Sequence, residues 1–317
     1  MTLMNTWRPL SAPDVPAWAT LTNLLAVVDG TEEFYEEDDL AEELSEHGFN
    51  PELDSWAGWD GELMIGYGQL RVREDHDGNA LAHMAGGIHP DYRGRGLGRG
   101  LMDLMETRAV AACAERYPGA PQLWRVPGNL EGASVRPMLE HRGYQIVRYW
   151  NEMKRPLPAS LEVPEVDGVL VSPTDEHQEV TRQAHNMAFR DHWGAGPRSP
   201  EQWADMWTAR SNRMPISTLA LDDAGRVLAY VLVGQWVPRE AYVNLVGTVP
   251  EARGRGLAHA ALLRTIGLAD GYDEIALDVD SASPTGATRL YEKAGFVVSK
   301  TTASYQRPAR LSVTSAG

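Results

Sequence analysis

Cysteine and long apolar runs are what this 317-residue sequence lacks most. Cys113 is its only cysteine, which excludes an internal disulfide and a multi-cysteine metal site. No apolar run approaches the roughly 18 residues that a membrane span needs. The residues Met1 to Arg8 lack the apolar core of a secretion signal. These absences predict a cytoplasmic protein without a metal site.

Positive charge is also scarce. Lysine and arginine number 29 against 44 acidic residues, which gives a net charge of −15. This balance argues against non-specific nucleic-acid binding, which needs a positive surface. We expect neither a nucleic-acid nor a membrane partner. The charge balance is compatible with a cationic acceptor, since a negative field concentrates positive ligands. Much of the acid lies in residues 32–44, which we predict to form an amphipathic helix with a solvated face.

The sequence contains one motif twice. Pro90–Gly98 returns as Pro250–Ala258, an offset of 160 residues. Each copy follows an apolar, strand-like run and opens a segment with apolar residues at helical spacing. Two copies half a chain apart indicate a duplication. We therefore predict an N-terminal domain at residues 1–156, a proline-containing linker at 157–167 and a C-terminal domain at 168–317.

The repeat extends beyond this motif. Strand-like runs precede it in both halves, and a second helix follows it, ending before Gly143 in one half and Gly295 in the other. The offset between these glycines is 152 residues, so the first half holds eight extra residues. We place them at Tyr117–Pro121, a turn-like segment with two prolines and a glycine.

An arginine- and glycine-rich turn between a strand and a helix is suited to a phosphate group. The N-terminus of a helix presents unpaired amides and a favourable dipole, glycines let the backbone approach closely, and arginines add charge. A pyrophosphate would use such a site fully. The residues concerned are Arg93, Gly94, Arg95, Gly96, Leu97 and Gly98 in the first copy, and Arg253, Gly254, Arg255, Gly256, Leu257 and Ala258 in the second.

These two turns resemble the acyl-CoA-binding signature of the GCN5-related N-acetyltransferases (GNAT), and Gly286–Phe296 resembles that family's second motif. The tandem layout is similar to mycothiol synthase and to actinobacterial double-domain acetyltransferases. The resemblance implies an α+β fold of two GNAT domains. Each would be a mixed, mostly antiparallel sheet with splayed central strands, flanked by helices.

The resemblance also implies acetyl-CoA as co-substrate, with its pyrophosphate on the two turns. In this family the strand that leads into each turn, termed the signature strand, would hold the pantetheine arm and the acyl carbonyl at its end. The Val249 region would polarise that carbonyl. An asparagine that the family often carries in the second motif is replaced here, and Ser283 is the residue closest to its place. The strand-end residues concerned are Gly87, Ile88 and His89, and Gly247, Thr248 and Val249.

The family commonly uses a tyrosine of the second motif as the acid that protonates the departing thiolate, and Tyr291 occupies that position. Leu139 stands at the corresponding place in the first half. Leucine cannot donate a proton, so we expect the N-terminal half to be catalytically silent. Its intact turn would still allow it to hold acetyl-CoA, or it would serve to buttress the active half.

The sequence does not single out a general base or an acceptor site. The second signature strand carries Tyr242 and Asn244, with Glu240 at its start. A second set, near the expected acceptor position, comprises His185, Asp191 and His192. Three tryptophans lie in or near this region, and the sequence allows them either to line an acceptor pocket or to pack in the core; they are Trp193, Trp203 and Trp207.

The function that follows from this resemblance is direct transfer of an acetyl group from acetyl-CoA to the amine of a small molecule. A mycothiol synthase-type acetyltransferase is one alternative. A protein that binds acyl-CoA or sequesters a ligand without catalysis is another. Oligomeric state stays open, because a tandem pair can act as its own pseudo-dimer.

Overall fold

The computed structural model describes residues 7–159, 161–190, 196–283 and 286–309. They form two compact units. The N-terminal unit comprises the described residues up to Arg148 together with those from Thr302 onward, and the C-terminal unit comprises Tyr149–Thr301. Among the described residues, no helix is long and apolar enough to cross a bilayer.

The elements that begin in the N-terminal unit are β1 (Trp7–Arg8), α1 (Val15–Val28), α2 (Glu37–Ser45), α3 (Pro51–Asp54), β2 (Ser55–Asp60), β3 (Leu63–Glu74), β4 (Ala80–Ile88), α4 (Leu97–Arg116), β5 (Gln122–Leu130), α5 (Val135–His141) and β6 (Gln145–Pro156). Those that begin in the C-terminal unit are β7 (Val169–Val171), α6 (Gln178–Ala188), α7 (Pro200–Thr208), β8 (Thr218–Leu221), β9 (Val227–Gly234), β10 (Glu240–Thr248), α8 (Leu257–Leu268), β11 (Glu274–Asp280), α9 (Ala287–Lys293) and β12 (Val297–Pro308).

Each unit contains a mixed, mostly antiparallel sheet, as the sequence predicts. Strand order is β1-β2-β3-β4-β5-β12 in the N-terminal unit and β7-β8-β9-β10-β11-β6 in the C-terminal unit. One neighbouring pair in each is parallel: β4 with β5, and β10 with β11. These parallel ladders cover only Ala80–His83 of β4 and Glu240–Val243 of β10. Both strands, which are the two signature strands, continue for several residues beyond the ladder. The central strands therefore splay apart in both units.

The last strand of each unit comes from the other half of the sequence. Residues 302–308 of β12 pair with β5 in the N-terminal unit. Residues 150–156 of β6 pair with β11 in the C-terminal unit. The boundaries of the two units therefore differ from those of the contiguous domains expected at residues 1–156 and 168–317. Polar and apolar alternation predicts that a strand exists, but not which neighbour it pairs with.

This exchange predicts where core substitutions act. Tyr305, 1% exposed, packs in the N-terminal unit, whereas Met153, 0% exposed, packs in the C-terminal unit. Truncating a large buried side chain costs about 2–5 kcal/mol. We expect Tyr305→Ala to reduce hydrogen-exchange protection mainly in β5, and Met153→Ala mainly in β11. Loss of protection confined to β11 in Tyr305→Ala, or to β5 in Met153→Ala, would contradict the exchange.

The eight extra residues of the first half lie in a helix, not in Tyr117–Pro121 as the turn-like sequence suggested. Helix α4 has 20 residues and α8 has 12, whereas the connections that follow them have equal length. The longer helix is stabilised because its last turns stay in contact with the core: Ala109, Ala112 and Cys113 are each 0% exposed.

Part of the expected linker packs on the C-terminal unit. Leu157 and Leu161 lie against its core, and the Leu157 amide donates to the Asp273 carbonyl at 2.8 Å. Helices cover both faces of this unit's sheet. Helices α8 and α9 pack on one face, while α6 and α7 pack with β9 on the other. Trp203 and Trp207 belong to this second cluster, being 0% and 4% exposed, so they are core residues.

Candidate active site

The second arginine–glycine turn lies in the C-terminal unit and leads directly into α8. Gly254 and Gly256 have φ angles of +76° and +79°, which residues with a Cβ rarely adopt. A Cβ built on either glycine meets no atom within 4 Å, so the turn borders open space. Ala260 is the first residue to donate within the helix, to the Gly256 carbonyl at 3.0 Å. The amides of residues 257–259 are therefore available to an anion at the helix N-terminus.

The first turn has the same geometry. Gly94 and Gly96 have φ angles of +75° and +86°, and Gly100 donates to the Gly96 carbonyl at 3.1 Å. Helix α4 follows directly, with the amides of residues 97–99, including Leu97 and Gly98, in its first turn. The backbone of both turns fits a pyrophosphate, because each offers unpaired amides beside glycines in the left-handed region.

The arginines of both turns are engaged with the protein. Arg93 forms two hydrogen bonds of 2.7 Å with the Asp29 carboxylate, and Arg95 donates to the Asp91 carbonyl at 2.7 Å. Arg253 donates to the Ala188 carbonyl at 3.0 Å, and Arg255 forms an ion pair with Asp167. The sequence did not reveal these partners. In this arrangement the backbone amides are the main donors of each turn.

The signature strand β10 leaves an unpaired edge where it separates from β11. The amide of Val249, 1% exposed, donates to the Leu228 carbonyl at 2.9 Å. Hydrogen bonds alternate along an antiparallel strand, so the amide of Thr248 points away from β9, toward the gap. In the other unit the His89 amide donates to the Ile65 carbonyl at 2.9 Å. The same alternation directs the Ile88 amide toward the gap there.

Glycine is required at position 247 by a close approach. Tyr230 is the β9 partner of Gly247, and its ring lies 2.4 Å from the place a Cβ would occupy. Gly87 is the corresponding partner of Tyr67, where a Cβ would meet a Leu25 methyl group at 2.3 Å. Each signature strand is therefore packed closely against a neighbouring side chain in the region where it separates from its parallel partner. That side chain is the Tyr230 ring in the C-terminal unit and Leu25 in the N-terminal unit.

We expect Gly247→Ala to destabilise the C-terminal unit by about 1–3 kcal/mol, because the buried Tyr230 ring cannot move without disturbing its neighbours. Urea unfolding measures this change. Gly267→Ala in α8 is the matched control: a Cβ there meets nothing within 4 Å, so we expect no loss of stability. Equal stability of the two variants would show that the Tyr230 contact imposes no constraint.

Tyr291 lies on α9 among the core residues of the C-terminal unit. It is 7% exposed, and its ring centroid is 6.1 Å from that of Phe296. Burial raises the pKa of Tyr291 to about 12, so its phenol is protonated at neutral pH. Among the described residues no hydrogen-bond partner is found for this hydroxyl. In the N-terminal unit, α5 places Leu139 in the core, 0% exposed.

The predicted acceptor residues do not form one group. Tyr242 and Asn244 lie on β10, whereas His185 is buried on α6, 5% exposed, with its Nδ1 atom 2.7 Å from the Tyr230 hydroxyl. His185 also stacks on Phe189 with a ring-centroid distance of 4.5 Å. These surroundings are those of a packed interior side chain. Asp191 and His192, like Trp193, lie outside the described residues.

Two further predicted positions are defined by local hydrogen bonds. The Ser283 amide donates to the Asp280 carbonyl at 3.0 Å, in the turn between β11 and α9. Glu240 accepts a 3.0 Å hydrogen bond from Lys154, which also contacts Glu274 at 3.1 Å. Burial, together with Glu274, raises the pKa of Glu240. Ion pairs thus hold Glu240 at the start of β10, at the end of the parallel ladder that lies away from the gap.

Sequence reasoning missed Asp278. This residue follows Leu277, the last residue of β11 in the parallel ladder. Its carboxylate accepts a 2.9 Å hydrogen bond from the Tyr242 hydroxyl. A usable signal was present, because Asp278 is an acidic residue between two apolar positions of a predicted central strand. Alternation places it on the sheet face opposite Leu277 and Val279.

Two splayed sheets, each opening beside a glycine-rich helix N-terminus, define a tandem acyl-CoA-dependent transferase fold. A family model described as Acetyltransferase (GNAT) family matches residues 18–120 and again residues 179–296. The chain belongs to this family and is an acetyltransferase that acts on an amine. The family uses acetyl-CoA as donor.

The chain is similar to curated proteins named mycothiol acetyltransferase. It is 31% identical over 259 residues to the one from Thermobispora bispora, a match that covers 75% of this chain and 78% of the relative. It is 30% identical over 268 residues to the one from Salinispora arenicola, covering 77% and 78%.

Solved structures share the tandem fold. A GCN5-related N-acetyltransferase from Sphaerobacter thermophilus matches with a TM-score of 0.74 at 24% identity, covering 96% of each chain. A tandem GNAT protein from the clavulanic acid biosynthesis pathway matches with a TM-score of 0.65 at 16% identity, covering 97% of this chain and 99% of that one. At these identities the likeness shows the fold alone.

Proposed function

We propose that the C-terminal unit catalyses direct transfer of the acetyl group from acetyl-CoA to the amine of a small molecule, while the N-terminal unit is catalytically silent. The observation that carries this proposal is the contrast between Tyr291 and Leu139. Both lie on the short helix after the splayed strands, and only the tyrosine can donate a proton.

In this proposal the amides that follow Arg253, from Gly254 to His259, bind the pyrophosphate, and the pantetheine arm extends along the free edge of β10. The Arg253 amide itself donates to the Pro250 carbonyl at 3.3 Å. The Thr248 amide donates to the thioester carbonyl and stabilises the charge that develops there. Val249 is not the donor in this scheme, because its amide is bonded to Leu228. Ser283 borders the same gap from the turn that precedes α9.

The reaction joins the amine nitrogen to the acetyl carbon and breaks the carbon–sulfur bond. Holding both reactants in one cleft replaces a bimolecular encounter and supplies much of the rate. Tyr291 protonates the departing thiolate and regains a proton from the nitrogen, through solvent. One further proton leaves the ammonium form of the acceptor before attack.

The N-terminal unit retains a turn with the same backbone geometry at Arg93–Gly98. We propose that Gly87, Ile88 and His89 border a second acetyl-CoA site there, in which no transfer follows. Cytoplasmic location, and action without a metal, nucleic acid or membrane, complete the proposal. The net charge of −15 supports the absence of a nucleic-acid or membrane partner, because a negatively charged protein is repelled by anionic surfaces.

A mycothiol-type acceptor is the second candidate. The identity of 30–31% to proteins named mycothiol acetyltransferase supports it. Tyr242 and Asn244 on the signature strand, in place of the glutamate common in the family, favour a different acceptor.

Two measurements on the full chain test the proposal. Isothermal titration with acetyl-CoA reports uptake, and chromatographic detection of free CoA reports its release across amines that include glucosamine, amino acids, aminoglycosides and the amine precursor of mycothiol. We expect uptake and amine-dependent release. Uptake without release by any amine would favour a binding protein, and release with the mycothiol precursor alone would favour the second candidate.

A further inference from the structure

We propose that Asp278, hydrogen-bonded to Tyr242, is the group that accepts the proton from the acceptor amine. This inference rests on the proposed function of the C-terminal unit. Asp278 stands at the fork between β10 and β11, one residue beyond the parallel ladder. In the proposed function the thioester lies in the gap that opens at this fork, so the attacking amine would come close to Asp278.

The face on which Asp278 lies suits a base. Leu277 and Val279 belong to the core cluster that contains Tyr291, so the intervening Asp278 points to the opposite face of the sheet. The amine is then deprotonated on one side of the thioester, and the thiolate leaves toward Tyr291 on the other. This separates the proton acceptor from the proton donor and prevents direct exchange between them.

The surroundings of Asp278 favour proton uptake. Asp278 is exposed, so a substrate can reach it, while the neighbouring strands partly bury its carboxylate. This burial, together with Glu152 on β6, raises the pKa of Asp278, while the hydrogen bond from Tyr242 and the Lys300 charge on β12 lower it. The Lys300 ammonium is 2.8 Å from Glu152, which limits its effect on Asp278.

The N-terminal unit differs at the corresponding fork. The last register pair of its parallel ladder is His83 with Arg125. Arg125 is 6% exposed and donates to the Gln306 side chain at 2.9 Å. Burial and neighbouring arginines lower the pKa of His83 to about 3. A buried guanidinium cannot deprotonate an ammonium ion. This difference agrees with the proposal, made from Leu139, that the N-terminal unit is catalytically silent.

Each proton in this reaction has a defined donor and acceptor. The carboxylate of Asp278 takes one proton from the ammonium group and leaves a neutral amine, which attacks the acetyl carbon. Asp278 then releases that proton to solvent. Tyr291 gives its proton to sulfur and recovers one from the acylated nitrogen. The products are the acetamide, CoA thiol and one proton.

Kinetics with the best amine of the panel test this assignment. We expect Asp278→Asn to lower kcat about 100-fold, with the acetyl-CoA dissociation constant within twofold of wild type and Asp278→Glu restoring part of the rate. The acid limb of the kcat–pH profile should disappear in Asp278→Asn. It should move to higher pH in Tyr242→Phe, because the lost hydrogen bond had lowered the pKa of Asp278. Asp273→Asn, which removes an exposed carboxylate paired with Arg239, is the control and should leave kcat unchanged.

Carbon-13 NMR of labelled aspartate gives a readout besides activity. The Asp278 carboxyl should titrate above the ordinary value of about 3.9 and higher still in Tyr242→Phe. Unchanged kcat in Asp278→Asn, with transfer still lost in Tyr291→Phe, would overturn this assignment and leave the proposed function standing. Absence of amine-dependent CoA release in wild type would overturn both.

Discussion

Replacing Tyr291 by phenylalanine is expected to lower kcat by roughly 10²–10⁴-fold, the usual contribution of a positioned general acid. The substitution removes only the hydroxyl, so packing against Phe296 is retained. The dissociation constant for acetyl-CoA should stay within about twofold, because the pyrophosphate and pantetheine contacts lie elsewhere. Single-turnover kinetics with a rapid quench separates the chemical step from CoA release.

Leu139→Met in the N-terminal unit is the matched control. It exchanges one buried side chain for another of similar volume at the corresponding position, which costs less than about 1.5 kcal/mol. We expect wild-type kcat. Equal losses in Tyr291→Phe and Leu139→Met would contradict the division of labour between the units, and no loss in Tyr291→Phe would remove the tyrosine from the mechanism.

The second large effect concerns Gly256. We expect Gly256→Asp to weaken acetyl-CoA binding by the C-terminal unit about 100-fold, or about 2.7 kcal/mol. The new side chain would enter the open space beside the turn, strain a φ of +79° and bring a negative charge to the pyrophosphate. Titration calorimetry measures the affinity, and turnover at low acetyl-CoA should fall in proportion.

Gly96→Asp applies the same change to the first turn, where φ is +86°. The two variants should suffer similar backbone strain, so they should lose similar stability. They should differ in function: Gly96→Asp should leave turnover near wild type. If Gly96→Asp abolishes turnover and Gly256→Asp does not, the active unit is the N-terminal one.

Much of the local structure is predictable because its causes are local. Both glycine-rich turns before α4 and α8, the splayed strands implied by the family resemblance, and the glycines that end the second helices are present as expected. Gly143 and Gly295 have φ angles of +83° and +84°, as a residue just after a helix requires. Tyr291 and Leu139 fall where the repeat places them, one turn before these glycines.

The remaining features depend on partners that are distant in sequence. The exchange of β6 and β12 between the units is set by strand pairing. The alternation of polar and apolar residues does not determine which strands pair. The carboxylate partner of Arg93 lies 64 residues away, and the carbonyl partner of Arg253 lies 65 residues away. His185, polar in sequence, is buried because Tyr230 supplies a hydrogen bond. Asp278 becomes notable only once Tyr242 is seen to contact it.

A structure of the protein with acetyl-CoA tests the central claim most directly. We expect the pyrophosphate on the amides that follow Arg253 and the thioester between β10 and β11. Its sulfur should lie within about 3.5 Å of the Tyr291 hydroxyl, the distance that proton transfer requires. Acetyl-CoA bound only at the first turn, with its sulfur beside Leu139, would contradict the account.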